Sequence, residues 1–262
     1  MLICIGDGIR DSLINNFAHL LMNNKTNTKP IVVIGDVHGL TCWKDIVKVH
    51  KDSMFVFLGD YCDPYEYIKP IELIKNFRSI IQFKKKRPDD VILLLGNHDM
   101  HYTSDDFVIS TRYDERMVSI MKHISNDYHD LFLYSWQCGT MLFSHAGVND
   151  QWFRENFGGQ LSGEKSVAYQ LNHPTNKQFA AMCQIGYRRG GDFDYGGIFW
   201  ADRSDTISNP LVGYHQFVGH SRVDNINHVT INDQTSITYC DCLYNKQYLV
   251  ITDQSINACV LN

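Results

Sequence analysis

The chain has 262 residues, a formal net charge of −5 at pH 7 and 44% hydrophobic residues. This length and composition allow one large domain with a well-filled hydrophobic core. No apolar run approaches the ~18 residues that span a bilayer. The densest basic run, residues 84–87, is too short to indicate a nucleic-acid-binding surface. We therefore expect neither a membrane nor a nucleic acid among the partners of the chain.

The first 24 residues lack the basic start and long apolar core of a secretion signal, which predicts a soluble, cytoplasmic protein. The eight cysteines agree with that prediction, because they are scattered along the chain and form no paired Cys-x-x-Cys sets. We interpret most of them as reduced thiols in the core. Cys62 lies between two candidate site residues, and for it an inhibitory oxidation is the alternative to the favoured packing role.

The N-terminal part of the chain is predicted to form a helix. Apolar residues recur at helical spacing over residues 11–22, and the polar stretch that follows ends at Pro30. We therefore divide the chain into an N-terminal helical extension, residues 1–29, and a main domain, residues 30–262.

The main domain begins with an alternation of strands and helices. Strands are predicted over residues 31–34 and 54–58 and from Val91, with helices over residues 41–50 and 71–83 between them. This alternation is typical of a right-handed α/β unit with a largely parallel sheet.

After Asp99 the pattern becomes less regular. Helices are predicted over residues 112–124 and 164–185, the second of them interrupted by Pro174. Residues 186–197 contain five glycines and are predicted to form a loop at the rim of the candidate site. Short strands are predicted at residues 131–136, 141–144, 236–239, 247–251 and 258–261.

Polar side chains follow five apolar runs at the points where those runs end. Each run ends in a glycine, a serine or both, next to an aspartate, an asparagine or a histidine. In an open α/β sheet the carboxyl ends of the strands form the crevice in which ligands bind, so the five ends are predicted to converge on one site. The residues selected by this pattern are Asp36, His38, Asp60, Asn97, His145 and His220.

These six side chains offer three imidazoles, two carboxylates and one amide oxygen. That donor set suits two divalent first-row metal ions, manganese first and iron or zinc as alternatives, better than calcium, which prefers oxygen ligands. A carboxylate can bridge two metal ions, and such a pair lowers the pKa of a bound water, so that hydroxide can attack phosphorus. The predicted chemistry is hydrolysis of a phosphoric ester.

Each motif taken alone is weak evidence, because an Asp-x-His or Gly-His sequence after a strand is more often a hydrogen-bonded turn than a metal site. The metal-site interpretation depends on the occurrence of all five motifs in the same chain. Five strand ends in one chain carry ligand-type residues in a consistent order.

The chain resembles the calcineurin-like metallophosphoesterases in five motifs. Within that superfamily it is most similar to the phosphoprotein phosphatase branch of serine/threonine phosphatases and bacterial diadenosine tetraphosphatases. The resemblance implies an α/β fold, a four-layer α/β/β/α sandwich of two mixed β-sheets flanked by helices. The motifs are Gly-Asp36-Val-His38-Gly, Gly-Asp60-Tyr-Cys-Asp63, Gly-Asn97-His98-Asp99, His145-Ala-Gly and Gly-His220.

The resemblance also implies roles for these residues. His98 would be the general acid that protonates the leaving oxygen, and Asp63 would pair with it. A carboxylate beside an imidazole favours the protonated ring and fixes its orientation, as a proton donor requires. The first metal ion would be held by Asp36 and His38, both ions by Asp60, and the second ion by Asn97, His145 and His220.

One departure from the family concerns phosphate binding. Where the family has Gly-Asp-x-x-Asp-Arg-Gly, this chain continues Asp63-Pro-Tyr, so the arginine that clamps the phosphate is missing. Another cation is needed to neutralise the phosphate. Arg203 is the first candidate and Arg222 the second, with Asn97 as a further phosphate-binding group.

The sequence predicts a dimetal phosphatase that hydrolyses phosphomonoesters in the manner of serine/threonine phosphatases, with a phosphoprotein, a small phosphomonoester or a nucleotide as substrate. Two alternatives stay open. Asp99 and His101, in Gly-Asn-His-Asp-x-His, resemble dinucleoside polyphosphate hydrolases and favour diadenosine tetraphosphate as substrate. The missing arginine leaves room for a catalytically silent binding module on the same fold.

Overall fold

The computed structural model describes residues 29–103, 107–158 and 166–261. The helix predicted over residues 11–22 lies outside these ranges, so the division into an extension and a main domain stays a prediction. Two β-sheets lie face to face, and helices cover both outer faces. The predicted four-layer sandwich of two mixed sheets is confirmed.

The described residues form eleven β-strands and eight α-helices. The strands are β1 (Ile31–Ile34), β2 (Met54–Phe57), β3 (Val91–Leu94), β4 (Phe132–Leu133), β5 (Ser135–Cys138), β6 (Met141–Ser144), β7 (His215–Arg222), β8 (Asn227–Asn232), β9 (Thr235–Asp241), β10 (Gln247–Ile251) and β11 (Ile256–Val260). The helices are α1 (Trp43–Val49), α2 (Pro70–Lys86), α3 (Asn97–Met100), α4 (Val118–Tyr128), α5 (Asp150–Phe157), α6 (Val167–Asn172), α7 (Asn176–Met182) and α8 (Arg203–Ser208).

Both sheets combine parallel and antiparallel pairs. The first sheet has the order β11-β10-β1-β2-β3-β4, in which β1 to β4 are parallel and β10 and β11 are antiparallel additions. The second has the order β5-β6-β7-β9-β8, with a parallel centre of β6, β7 and β9. The parallel strands of each sheet therefore end at a common edge.

The apolar runs of the sequence form strands because both of their faces are buried. In β1, Val32 and Ile34 face the core beneath α1, α2 and α4, whereas Ile31 and Val33 face the second sheet. Side chains alternate between the two faces of a strand, so a strand covered on both sides is apolar at every position. None of the helices within the described ranges is long and apolar enough to cross a membrane.

The structure differs from the predicted elements at two places that matter for the site. The helix predicted over residues 112–124 begins only at Val118, because the Asp114 side chain caps a short 3-10 turn at residues 115–117. The apolar run at residues 131–136 is not one strand but two, β4 and β5, in different sheets. Asn172 Oδ1 accepts hydrogen bonds from the backbone N–H groups at this crossing.

Other elements were not predicted, or were predicted with different limits. β8 is half exposed and largely polar, so it carries no apolar run that would reveal it. The predicted interruption at Pro174 is confirmed, since it separates α6 from α7. The glycine-rich residues 186–197 form a loop, as predicted. This loop contains one short 3-10 turn.

A buried histidine in the second sheet is expected to make stability pH-dependent. His215 in β7 contacts Ser236 Oγ through Nδ1 at 2.7 Å, and burial, aided by the neighbouring His228, lowers the pKa of His215 to about 4. The unfolded chain therefore binds a proton at this histidine between about pH 6.5 and 4, and the native state does not.

The free energy of unfolding of the wild type, relative to that of His215→Gln, should fall as the pH is lowered from 7 to 4. The decrease should be at most roughly 3 kcal/mol, given ~1.4 kcal/mol per pKa unit. Urea unfolding at a series of pH values measures it, with the exposed His129→Gln as control. A difference that does not vary with pH would contradict the assignment.

Candidate active site

The six predicted metal ligands lie together at the edge where the parallel strands of both sheets end. Asp60 is central, because its Oδ2 lies 3.7 Å from His38 Nε2 and 3.6 Å from His145 Nε2. Asn97 Oδ1 lies 2.9 Å from both His145 Nε2 and His220 Nδ1. Asp36 Oδ2 completes the group, 3.9 Å from His38 Nε2, and Asp36 accepts the backbone N–H of His220.

Several of these residues have a backbone conformation that side chains rarely adopt. The φ angles are positive at His38 (41°), Asp60 (52°), Asp63 (56°) and His220 (57°). A non-glycine residue in this region costs of order 1–3 kcal/mol and persists where the surrounding structure holds it, often at functional sites. The sharp turn at each strand end is what aims these side chains at one point.

Two glycines allow the strand ends to approach closely. A Cβ at Gly96 would overlap Asp60 Oδ1, and a Cβ at Gly219 would overlap Asp36 Oδ1. The glycines before Asn97 and His220 are therefore required by the contact between neighbouring strand ends, not only by the turn.

Hydrogen bonds from one ring nitrogen fix the orientation of two imidazoles. His38 Nδ1 lies 2.9 Å from the Cys62 carbonyl oxygen, and His145 Nδ1 lies 2.8 Å from that of Leu58. A carbonyl only accepts, so each Nδ1 carries the hydrogen. Burial lowers the pKa of His38 to about 4 and also lowers the pKa of His145, so both rings are neutral. Each Nε2 therefore presents a lone pair to the centre of the site.

The arrangement fits metal ions for this reason. His145 Nε2 and Asn97 Oδ1 are both acceptors, yet they lie only 2.9 Å apart, with Asp60 Oδ2 close by. Acceptors that face one another away from water repel unless a cation lies among them. Neutral imidazoles, carboxylates and an amide oxygen are the donors that divalent first-row metals take.

The charges of the buried carboxylates give independent support. Burial, together with the charges of Asp241 and Asp60, raises the pKa of Asp36 well above its ordinary value. Burial would also raise the pKa of Asp60, but the neighbouring imidazoles hold it below its usual range. Asp241 is 2% exposed, and its pKa is raised to about 7 by burial and by Asp60. Metal cations would compensate this cluster of negative groups.

His98 and Asp63 form the predicted pair beside the metal ligands. His98 Nδ1 lies 2.9 Å from Asp63 Oδ2, and the His98 ring centre lies 5.2 Å from that of His38. Burial opposes a charge on His98, but Asp60 and the hydrogen bond to Asp63 raise its pKa. Asp63 also accepts from Tyr102 Oη at 2.7 Å and lies 2.8 Å from His101 Nε2. Asp63 is therefore held by three neighbours, and it holds His98.

Asp99, which the sequence places in the motif Gly-Asn-His-Asp-x-His, connects two turns of the site. Its carboxylate accepts the backbone N–H groups of Gly96, Asp60 and Tyr61. Burial and the charge of Asp60 raise the pKa of Asp99 to about 8. Asp99 therefore ties the turn after β2 to the turn after β3.

The two candidate phosphate-binding arginines have different contacts. Arg222 stacks on Tyr244 at 3.8 Å and on Tyr65 at 4.4 Å, and the Tyr65 ring lies 4.9 Å from that of His38. Arg203 instead donates from Nη2 to Asn227 Oδ1 at 2.8 Å. Both arginines line an open cavity of about 740 Å³.

Cys62 has the environment of a packing residue. Its side chain is buried, its Sγ lies 3.9 Å from Met121 Sδ, and burial raises the pKa of the thiol. A buried neutral thiol is inert, because the thiolate is the reactive form. The favoured interpretation from the sequence agrees with this environment.

Sequence reasoning missed charged residues at the site, among them Asp241 and Arg112. Asp241 ends β9 and follows an apolar run, so the strand-end pattern would have selected it had that pattern been applied to this strand. Arg112 lies in the irregular segment before α4, and its Nη2 lies 3.2 Å from His98 Nε2. No motif in the sequence marks it.

Comparison with known proteins now identifies the family. The family model described as calcineurin-like phosphoesterase matches residues 29–236. The chain belongs to the calcineurin-like phosphoesterase family. The resemblance stated from the sequence motifs is thereby confirmed.

Similar proteins within this family include phosphatases. Serine/threonine-protein phosphatase 7 of Arabidopsis thaliana is 26% identical over an alignment of 194 residues that covers 67% of this chain and 46% of that relative. The chain thus spans less than half the length of this relative.

Solved structures show the same fold. A cold-active protein-tyrosine phosphatase of a Shewanella species has a TM-score of 0.57 at 16% identity, covering 88% of this chain and 78% of the other. The structure of a point mutant of a cold-active protein tyrosine phosphatase gives 0.53 at 18% identity, covering 88% of this chain and 80% of the other.

Replacing the central carboxylate tests whether this site holds metal. Asp60→Asn should lower the bound metal to one ion or fewer per chain, because an amide bridges two cations poorly. Any hydrolysis of p-nitrophenyl phosphate should fall by about 100-fold or more. Metal content is measured by elemental analysis after gel filtration, with the exposed Asp233→Asn as control. Unchanged metal content in Asp60→Asn would refute the bridging role.

Proposed function

We propose that the chain is a dimetal phosphoric ester hydrolase that cleaves phosphomonoesters in the manner of serine/threonine phosphatases. Family membership and the phosphatases that the chain resembles support a phosphoric ester hydrolase. Two groups of potential metal-binding side chains, Asp36 with Asp60 and His145, and Asp63 with His98 and His101, lie at the site. We assign the first group, extended by His38, Asn97 and His220, to the metals.

The observation that carries the proposal is the pair of buried acceptors beside a proton donor. His145 Nε2 and Asn97 Oδ1 face one another at 2.9 Å, which calls for a cation. The ring of His98, hydrogen-bonded to Asp63, lies next to the ring of His38 at 5.2 Å. A metal centre next to an imidazole with a raised pKa suits hydrolysis of an ester with a poor leaving group.

These positions suggest which chemical role the metal ions and each residue would have. Bound metal ions, most suitably manganese, with iron or zinc as alternatives, would supply an activated hydroxide and Lewis acidity. The chain itself would contribute His98, whose Nε2 donates a proton to the leaving oxygen. Asp63 holds His98 by its Nδ1, and Asn97 and Arg222 are proposed to contact the phosphate. Arg203, which bonds Asn227, is proposed to bind groups beyond the phosphate.

We assign His101 and Tyr102 to the support of Asp63. His101 Nε2 lies 2.8 Å from Asp63 Oδ2, so this histidine shares the oxygen that also accepts from His98. Asp63 thus already has partners within the chain, a hydrogen bond with His98 and the close contact with His101, which favours a proton-donor role for this group over a third metal.

Dinucleoside polyphosphate hydrolysis is the second candidate function. The open cavity beside the site is lined by two arginines, Arg203 and Arg222, and by the ring of Tyr244. Such a surface can hold a second phosphate and a stacked base. A silent binding module is disfavoured, because a chain without catalytic function has no reason to keep the strained backbone at Asp63 and its pairing with His98.

A substrate panel on the manganese-loaded protein tests the proposal. It contains p-nitrophenyl phosphate, bis-p-nitrophenyl phosphate, phosphoserine and phosphotyrosine peptides and diadenosine tetraphosphate. We expect p-nitrophenyl phosphate and the phosphopeptides to release phosphate. Their kcat/KM should be at least ~10-fold higher than that for cleavage of bis-p-nitrophenyl phosphate or diadenosine tetraphosphate. Preference for the dinucleotide would replace the first candidate by the second. Bound metal without any turnover would establish the silent module.

The cytoplasmic location predicted from the sequence is kept as part of the proposal. The seven cysteines within the described ranges are free thiols, in agreement with a reducing compartment.

Replacement of His98 tests the proton-donor role. His98→Asn should slow hydrolysis of a phosphoserine peptide by about 100- to 10,000-fold. It should slow p-nitrophenyl phosphate far less, because p-nitrophenolate leaves without protonation. Steady-state kinetics on both substrates measure the ratio. Equal losses on the two substrates would exclude His98 as the acid, and the exposed His129→Asn serves as the matched control.

A further inference from the structure

Arg112 shares an unusual backbone feature with the residues of the site. In the described part of the chain, six non-glycine residues have positive φ angles. Four of them are the site residues already discussed, and a fifth, Lys246, ends a short 3-10 helix. The sixth is Arg112, with φ at 63°. A conformation this costly is retained where structure or function requires it.

The side chain of Arg112 is fixed on the leaving-group side of the site. Its Nε donates to the backbone carbonyl of Asp63 at 3.0 Å, and its Nη2 lies 3.2 Å from His98 Nε2. The guanidinium carbon lies 4.0 Å from the centre of the Tyr65 ring. The hydrogen bond to the Asp63 carbonyl and the contact with the Tyr65 ring hold the group, and Nη2 points to the atom from which His98 would donate its proton.

Among the described residues, no carboxylate is in direct contact with the Arg112 guanidinium, and its charge acts on Asp241 only through space. Within the described ranges, no salt bridge includes Arg112. Its contacts are the Asp63 carbonyl, the Thr111 hydroxyl, His98 and the Tyr65 ring. Such a half-buried arginine retains N–H groups and charge for an anion, and its planar fork matches phosphate oxygens.

Arg112 also reaches the position from which the expected arginine is missing. The family pattern places that arginine directly after the aspartate, where this chain has Pro64. Arg112 Nε binds the carbonyl of Asp63, the peptide group that joins Asp63 to Pro64. A guanidinium from a segment 48 residues further along the chain therefore lies at the same turn.

We propose that Arg112 binds the phosphate of the substrate, and that Tyr65 positions it. On binding, the hydrogen bond from Arg112 Nη2 would shift from His98 Nε2 to a non-bridging phosphate oxygen. His98 Nε2 would then be able to carry the proton that it donates to the leaving oxygen. The aromatic face of Tyr65 keeps the guanidinium in place and separates it from Arg222 on the same ring. This inference rests on the proposed phosphatase function for its substrate, and on the geometry alone for the anion.

Binding of inorganic phosphate to the metal-loaded protein tests the inference without turnover. Isothermal titration calorimetry should show an affinity about 10- to 100-fold lower for Arg112→Ala than for the wild type. Arg112→Lys should recover only part of the loss, because a lysine keeps the charge but not the fork. Metal content should be unchanged in both variants. The exposed Arg116→Gln, four residues away, is the matched control.

The phosphate affinities of Tyr65 variants test its positioning role separately. Tyr65→Phe should bind phosphate like the wild type, because the ring face is retained, whereas Tyr65→Leu should lose roughly 3- to 10-fold. In the double variant with Arg112→Ala, the Tyr65→Leu change should have almost no further effect. Added guanidinium ions should restore part of the phosphate affinity of Arg112→Ala, which a purely structural role would not allow.

The outcomes separate the inference from the proposed function. Wild-type phosphate affinity in metal-loaded Arg112→Ala would overturn the role of Arg112, whatever the substrate. If Arg112→Ala does not fold, as judged by circular dichroism, Arg112→Lys decides: unchanged phosphate affinity in it overturns the fork-like binding. Phosphate binding that depends on Arg112, with no turnover of any monoester, would refute the phosphatase proposal but support the anion site.

Discussion

His145 Nε2 and Asn97 Oδ1 lie 2.9 Å apart in the interior, although neither atom has a hydrogen to offer the other. The carboxylates of Asp36 and Asp60 lie in the same group and are almost fully buried. In a medium of low dielectric such a set of acceptors is unfavourable by itself and favourable around cations. The rest of the site maintains this arrangement. Backbone carbonyls orient the imidazoles, glycines let the strand ends approach, and three backbone N–H groups hold Asp99 at the joint between two turns.

Much of the fold could be predicted because a strand that is buried on both faces appears in the sequence as a continuous apolar run. The runs that became β1, β2, β3 and β6 are apolar at nearly every position, and each is followed within three residues by a residue that enters the site. β8 could not be found in this way, because an edge strand with one solvated face needs few apolar residues. The start of α4 was also missed, since a cap at Asp114 and a 3-10 turn, not periodicity, decide where that helix begins.

The site was predictable to the extent that its residues follow strands. The six ligand candidates and the pair of His98 and Asp63 occur in short motifs, and the structure brings them together. Arg112 does not belong to any such motif. It reaches the site through a loop, and its position depends on a contact with the Asp63 carbonyl across 49 residues of sequence. Long-range contacts of this kind are set by the tertiary fold, so a single sequence does not reveal them.

The donors of the site come from both sheets. Asp36 follows β1 of the first sheet, His220 lies in β7 of the second, and the two are 184 residues apart in sequence. Ions shared between such donors join the sheets as a cross-link joins two distant points of a chain. Because the unfolded chain does not present these donors together, bound metal would stabilise the native state by RT ln(1 + [M]/Kd). The thermal stability of the two-sheet core would then vary with the free metal concentration. A chelator would lower that stability by removing the metal, without contacting the core itself.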